Sequence, residues 1–157
     1  MNVQFNIRQK DSSKLAREIL EDLPNWFGDQ ESRENYVKAC TDLPCISARV
    51  DGVNAGILAI KIHDQTNAEI FFMGVASKFH RSGIGKELVN MAANIAIKRS
   101  ISILTVKTLW ARSSDPFYAK TRAFYESVGF QPFEELPTLW GKNAPCLLMA
   151  MNLDRVQ

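Results

Sequence analysis

The sequence predicts a mixed α/β domain, an expectation that rests on three features. An apolar run over Ala68–Val75 gives way to a glycine turn and then to a helical pattern over Lys86–Lys98, as expected of a strand feeding a helix. Asp51-Gly52 stands between two apolar segments, Ile46–Val50 and Val53–Ile62, which is a strong hairpin signal. The third feature is size: 157 residues with 46% hydrophobic content bury one sizeable core and not two, so residues 1–157 are expected to form a single domain.

Each element can be justified in chain order. Val3–Arg8 alternates apolar and polar residues, as an exposed edge strand would. Ser12 or Ser13 can cap a first helix reaching about Glu21, and Glu31–Cys40 reads as a second. Leu23-Pro24-Asn25-Trp26-Phe27-Gly28 connects the two. After the hairpin, Ile70, Phe71, Phe72, Met73 and Val75 mark Ala68–Val75 as a buried central strand. Another buried strand follows the long helix at Ile103–Lys107. A short helix over Tyr118–Phe130 then offers Phe117, Ala123, Phe124 and Val128 for packing and is stopped by Gly129. Phe130–Leu136 and Cys146–Leu153 are the last two strands. No repeat, low-complexity segment or linker interrupts the chain.

Composition narrows the function classes. No apolar run approaches the length of a membrane span, and Asn2, Gln4, Asn6 and Arg8 are unlike a signal peptide, so a cytoplasmic protein without a membrane partner is expected. Cys40, Cys45 and Cys146 are odd in number and lack metal-ligand or CxxC spacing, which predicts reduced, buried thiols and no metal site. The net charge of +2 is scattered along the chain, which argues against stable nucleic-acid binding but is compatible with a transient RNA substrate.

The glycine turn carries the strongest functional signal. Gly83 and Gly85 remove the side chains that would hold a pyrophosphate away from the backbone, and the free amides of Ser82–Lys86 would converge on an anion at the positive end of the helix. The bland alternative is a tight strand-to-helix turn. The turn is not a P-loop, because Gly85-Lys86 is followed by Glu87 and not by a hydroxyl residue that could hold magnesium. Nor is it a dinucleotide fingerprint, since Leu88 stands where the third glycine belongs.

Two motifs together resemble the GNAT superfamily of acetyl-CoA-dependent N-acetyltransferases. His80-Arg81-Ser82-Gly83-Ile84-Gly85 matches the family's phosphate motif except at its opening position, where His80 replaces Arg or Gln and the basic residue is shifted to Arg81. Tyr125-Glu126-Ser127-Val128-Gly129-Phe130 matches the tyrosine, acidic residue and Gly-Phe of its later helix. The resemblance implies a GNAT fold: a mixed central sheet of about seven strands with a splayed centre, flanked by about four helices. It also implies acetyl-CoA as cofactor, held by His80, Arg81, Ser82, Gly83, Ile84, Gly85 and Lys86, and by the main chain of Met73, Gly74 and Val75, with Gly74 a bulge position. Many members of the family form homodimers.

By the same resemblance Tyr125 faces the CoA sulfur, and Glu69, opening the central strand, corresponds to the glutamate base of histone-acetylating members. A phenol near pKa 10 protonates a thiolate near 8.5 uphill by roughly 2 kcal/mol, so Tyr125 acts more as a hydrogen-bond donor than as a complete acid. An amine near pKa 10 must lose a proton before it attacks, which is the task for Glu69 or for a water chain. His63, in a polar turn with Asp64, Gln65 and Asn67, reads as surface. No activated nucleophile is evident, so direct attack in a ternary complex is expected.

In this fold the acceptor pocket is built from the first two helices and the last inter-strand loop, which here supply Trp26, Phe27, Tyr36, Trp140 and Asn143, with Trp110, Arg112 and Tyr118 at the rim. A small-molecule amine is the first expectation, a protein or peptide amine the second, and aminoacyl-tRNA the third. Lys107-Thr108-Leu109, Thr121-Arg122 and Asn143-Ala144-Pro145-Cys146 are similar to a bacterial subgroup of small GNAT proteins of unassigned substrate. The competing class is a non-catalytic acyl-CoA sensor.

Overall fold

The computed structural model describes residues 1–109 and 116–155, apart from the side chains of Phe117 and Arg155. Its elements follow as β1 (Val3–Arg8), α1 (Ser13–Glu21), α2 (Gln30–Ala39), β2 (Cys45–Val50), β3 (Val53–Ile62), β4 (Asn67–Val75), α3 (Ile84–Lys98), β5 (Ile103–Leu109), α4 (Pro116–Ser127), β6 (Gln131–Leu136) and β7 (Cys146–Asn152). The seven strands form one sheet in the order β1-β2-β3-β4-β5-β7-β6. This is the mixed α/β architecture expected, with seven strands and four helices among the described residues. The chain divides into two compact units, one of Met1–Lys61 and Ile70–Ile95, the other of Ile62–Glu69 and the chain from Ala96 on.

In the first unit β1 is the edge strand, antiparallel to β2, with Val3 opposite Val50 and Arg8 opposite Cys45. Asp51 and Gly52 turn β2 into β3 with φ of 49° and 83°, the paired positive values of a tight hairpin. Ala16, Ile19 and Leu20 form the buried stripe of α1, and with Leu23 they pack among Val37, Cys40, Cys45, Ile57, Ala59 and Phe72. The α2 helix starts at Asp29, whose carboxylate accepts the Ser32 N–H at 2.9 Å. Gly74 faces α1 closely: a Cβ there would stand 3.0 Å from Leu23 Cδ1 and 3.1 Å from Ile19 Cγ2, so both side chains would have to give by a few tenths of an ångström. Gly56 on β3 plays the same part for α3, since its Cβ would lie 3.3 Å from Leu88 Cδ1 and 3.2 Å from the Gly74 carbonyl oxygen.

In the second unit β5 pairs with β7 from Ile103 opposite Asn152 to Leu109 opposite Cys146. β6 pairs with the other side of β7 and is bulged between Pro132 and Glu134. On α4 and just past it, Phe124 and Val128 are half-buried, as expected, whereas Ala123 is exposed and the Phe117 side chain lies outside the described residues. Tyr125 is buried, with Tyr118, Thr121 and Arg122 half-buried. Arg122 can sit here because it donates Nη1–H to the Leu109 carbonyl at 2.7 Å. The helix ends where Gly129 turns to φ 113° and the Phe130 N–H reaches back to the Tyr125 carbonyl.

All three cysteines are free and buried, as expected. Hydrogen bonding to Cys45, then burial, push the Cys40 thiol up, and the same bond draws Cys45 down. Burial raises Cys146 to about 11.

Two outcomes are expected of the folded protein. Gly74→Ala should cost about 1–3 kcal/mol in urea unfolding, because the added methyl overpacks the contact with α1; an unchanged midpoint would mean that α1 gives way freely. No thiol should react with a disulfide reagent before unfolding, since even Cys45 is only 2% exposed; one fast-reacting equivalent would contradict this burial.

Candidate active site

At the end of β4 the chain is anchored before it turns. The Ala76 N–H bonds the Ala55 carbonyl at 2.8 Å, and the Ser77 N–H bonds the Asp22 carboxylate at 2.7 Å. The Ser82 hydroxyl donates to the Phe79 carbonyl. Arg81 and Gly83 then take φ of 60° and 85°. α3 begins at Ile84, two residues earlier than expected, and its first turn closes with the Glu87 N–H on the Gly83 carbonyl at 3.1 Å. Among the described residues no backbone carbonyl accepts from the amides of residues 81–86. A Cβ on Gly83 would meet nothing within 4 Å. Six successive N–H groups without a backbone acceptor thus stand at the positive end of a 15-residue helix, an arrangement that fits a pyrophosphate.

Arg81, Ser82 and Lys86 are exposed around this turn, and Ile84 is buried beneath it. The His80 ring, expected beside the phosphates, has two protein contacts. Its Nε2 donates to the Val75 carbonyl at 2.6 Å, and its ring meets Trp26 edge-on at 5.6 Å. Met73 and Val75 are half-buried in β4.

Of the expected acceptor-site residues, Trp26, Phe27 and Tyr36 are brought together. Phe27 packs edge-on against Tyr36 at 5.8 Å, and Tyr36 reaches Phe71 at 5.4 Å and Phe72 at 5.3 Å. The Lys61 ammonium stands 5.5 Å over the Phe71 ring. Trp140 and Asn143 are exposed on the connection from β6 to β7, in the second unit. Trp110 and Arg112 lie outside the described residues.

Glu69 is buried, with its side chain 5% exposed, and it carries two partners from different elements. Oε2 accepts from Lys107 Nζ of β5 at 2.8 Å, and Oε1 accepts from His63 Nε2 of the β3–β4 turn at 2.7 Å. An ionised carboxylate only accepts, so His63 carries its hydrogen on Nε2. The turn is fixed locally: Asp64 accepts from the Thr66 N–H, the Thr66 hydroxyl and the Asn67 N–H, and the His63 N–H bonds the Asn67 carbonyl at 3.0 Å. The bonds from Thr66 hold the Asp64 carboxyl below the usual carboxylate range. Tyr125, also in the second unit, is 5% exposed and packs edge-on between Phe124 at 5.4 Å and Phe130 at 5.5 Å.

Lys107 is the member of this cluster absent from the sequence-based catalytic candidates, and His63 is a weaker candidate there whose bond to Glu69 the sequence does not show. A usable signal was present. Lys107 is the one charge in the apolar run Ile103–Leu109, and Glu69 is the one charge in Ala68–Val75, so each needs a buried partner of opposite sign.

The fold and the matched sequence pattern agree with known proteins. A protein assigned to the GNAT family from Desulfovibrio desulfuricans superposes with a TM-score of 0.82 at 18% identity, over 97% of this chain and 99% of its own. A GNAT family acetyltransferase from Elizabethkingia anophelis, with acetyl-CoA bound, gives 0.74 at 17% identity over 96% and 98%. An aminoglycoside 6'-N-acetyltransferase complexed with coenzyme A gives 0.74 at 18% identity over 98% and 97%. No curated protein matches the sequence. The acetyltransferase (GNAT) family model matches residues 13–130, three quarters of the chain, and the protein therefore belongs to that family, which transfers acyl groups from acetyl-CoA to amines.

Proposed function

We propose that this protein transfers the acetyl group of acetyl-CoA to a primary amine on a small molecule, by direct attack in a ternary complex. The carrying observation is the run of free amides over residues 81–86 before α3. Acetyl-CoA supplies an activated thioester. The amides hold its pyrophosphate, with Arg81 and Lys86 as the exposed cations beside it, and the main chain of Met73, Gly74 and Val75 receives the pantetheine arm. Glu69 supplies the carboxylate of the proton-accepting machinery, and Tyr125 donates a hydrogen bond to the departing thiolate.

The amine acceptor is assigned to Trp26, Phe27 and Tyr36. Aromatic side chains of this kind favour a small molecule with apolar or flat surface. The likeness to an aminoglycoside acetyltransferase supports a small-molecule amine, though of a more polar kind. A protein or peptide amine is the second choice. A cytoplasmic setting suits the three unpaired thiols, and no helix among the described residues is long and apolar enough to cross a membrane.

Calorimetric titration tests the cradle. Acetyl-CoA should bind where ATP and NAD do not, and Gly83→Glu should weaken it at least about tenfold by placing a carboxylate in the amide nest. A folded sample that ignores acetyl-CoA would end the transferase reading; binding without transfer to any amine would favour a sensor. Once an acceptor is found, Tyr125→Phe should lower kcat by about 10²- to 10⁴-fold. Turnover within a few-fold of the parent would remove the phenol from the mechanism.

A further inference from the structure

We propose that the proton leaving the acceptor amine is taken by His63 at Nδ1, with Glu69 as the carboxylate that positions the ring and Lys107 as its counter-charge. The inference rests on the transferase reading and divides its proton-accepting step between two side chains. Both Glu69 oxygens are engaged, Oε1 by His63 and Oε2 by Lys107, and the side chain is sealed from solvent. His63 is 34% exposed. Because its Nε2–H points at the carboxylate, the neutral ring keeps its lone pair on Nδ1, and no described residue bonds that atom. It is the open basic atom of the cluster, held in one tautomer by a buried acceptor, an arrangement suited to general-base work.

The charges around the ring come from three elements: Asp64 on its own turn, Glu69 on β4 and Lys107 on β5. When Nδ1 takes a proton, the imidazolium faces Glu69 across the existing 2.7 Å bond, so the new charge is met without rearrangement. The free amine then forms the C–N bond as the C–S bond breaks, and its second N–H proton reaches the departing thiolate by way of Tyr125, whose hydroxyl gives up one proton and takes back the other. His63 passes its proton to solvent at its exposed edge. The balance is one ammonium and one thioester giving one amide, one thiol and one released proton.

A merely structural role, in which His63 and Lys107 only satisfy a buried carboxylate, predicts a different result. The test uses the full chain with acetyl-CoA and a panel of kanamycin, spermidine and an alanine-initiated peptide, reading thiol release. His63→Gln should lower kcat by about 10²- to 10⁴-fold with KM for acetyl-CoA and the melting temperature unchanged, and His63→Ala should regain turnover on addition of imidazole. Near-parental kcat in His63→Gln beside an inactive Glu69→Gln would overturn the relay and leave the carboxylate as the base. Near-parental kcat in both would place the base elsewhere and spare the transferase reading. Loss of turnover that imidazole does not restore, with a lowered melting temperature, would assign His63 a structural role and overturn the proposal. A parent that binds acetyl-CoA but acetylates none of the panel would sink the catalytic reading and the relay with it.

Discussion

Close approach of helices to the hairpin of β3 and β4 is the constraint from which the cofactor cradle follows. Gly56 admits Leu88 and Ile84 of α3 to van der Waals contact with β3, and Gly74 admits Ile19 and Leu23 of α1 to β4. Any side chain at either point would lift a helix off its strand. With α3 seated through its first turn, its opening amides have no backbone carbonyl partner among the described residues, and Arg81 and Gly83 before it are left-handed. Backbone donors left unsatisfied at a helix start are the feature on which the proposed cofactor cradle rests.

The electrostatics of the second unit follow a different logic. A carboxylate placed inside a sheet is costly unless both oxygens are paired, and Glu69 meets that demand with one ammonium and one imidazole. The partners are unequal: Lys107 supplies an ammonium from β5, whereas His63 supplies an imidazole whose other edge reaches the surface. The short Asp64 turn matters here, since its three hydrogen bonds fix the segment from which His63 reaches Glu69.

Around the end of β4 the first unit carries aromatic rings in edge-on contacts, from Trp26 on His80 to Tyr36 on Phe71. In each edge-on contact the positive edge of one ring meets the negative face of the next, and the face of Phe71 takes the Lys61 ammonium. His80 joins this network by its contact with Trp26, and its Nε2–H is bonded to the Val75 carbonyl, so the histidine that opens the motif ties the turn back to the strand.

Much of the fold was legible because it is written in local chemistry. The Asp51-Gly52 turn, the apolar β4, the glycines before α3 and the Gly129 stop each need only their neighbours in sequence to be read. The candidate phosphate site was legible for the same reason, since a cradle made of consecutive amides is a local object. What the sequence could not show were pairings between distant positions. Arg122 on α4 is half-buried because the Leu109 carbonyl satisfies it, a partner thirteen residues away. His63 is exposed, as expected, but its bond to Glu69, which Lys107 meets from another strand, is not written in its neighbours. By itself, the sequence determined the element order, the hairpin and the glycine turn before α3, all governed by backbone conformation and hydrophobic period. Only the tertiary structure decided which charges meet, because the cost of burying a charge is settled by partners brought close in space and remote along the chain.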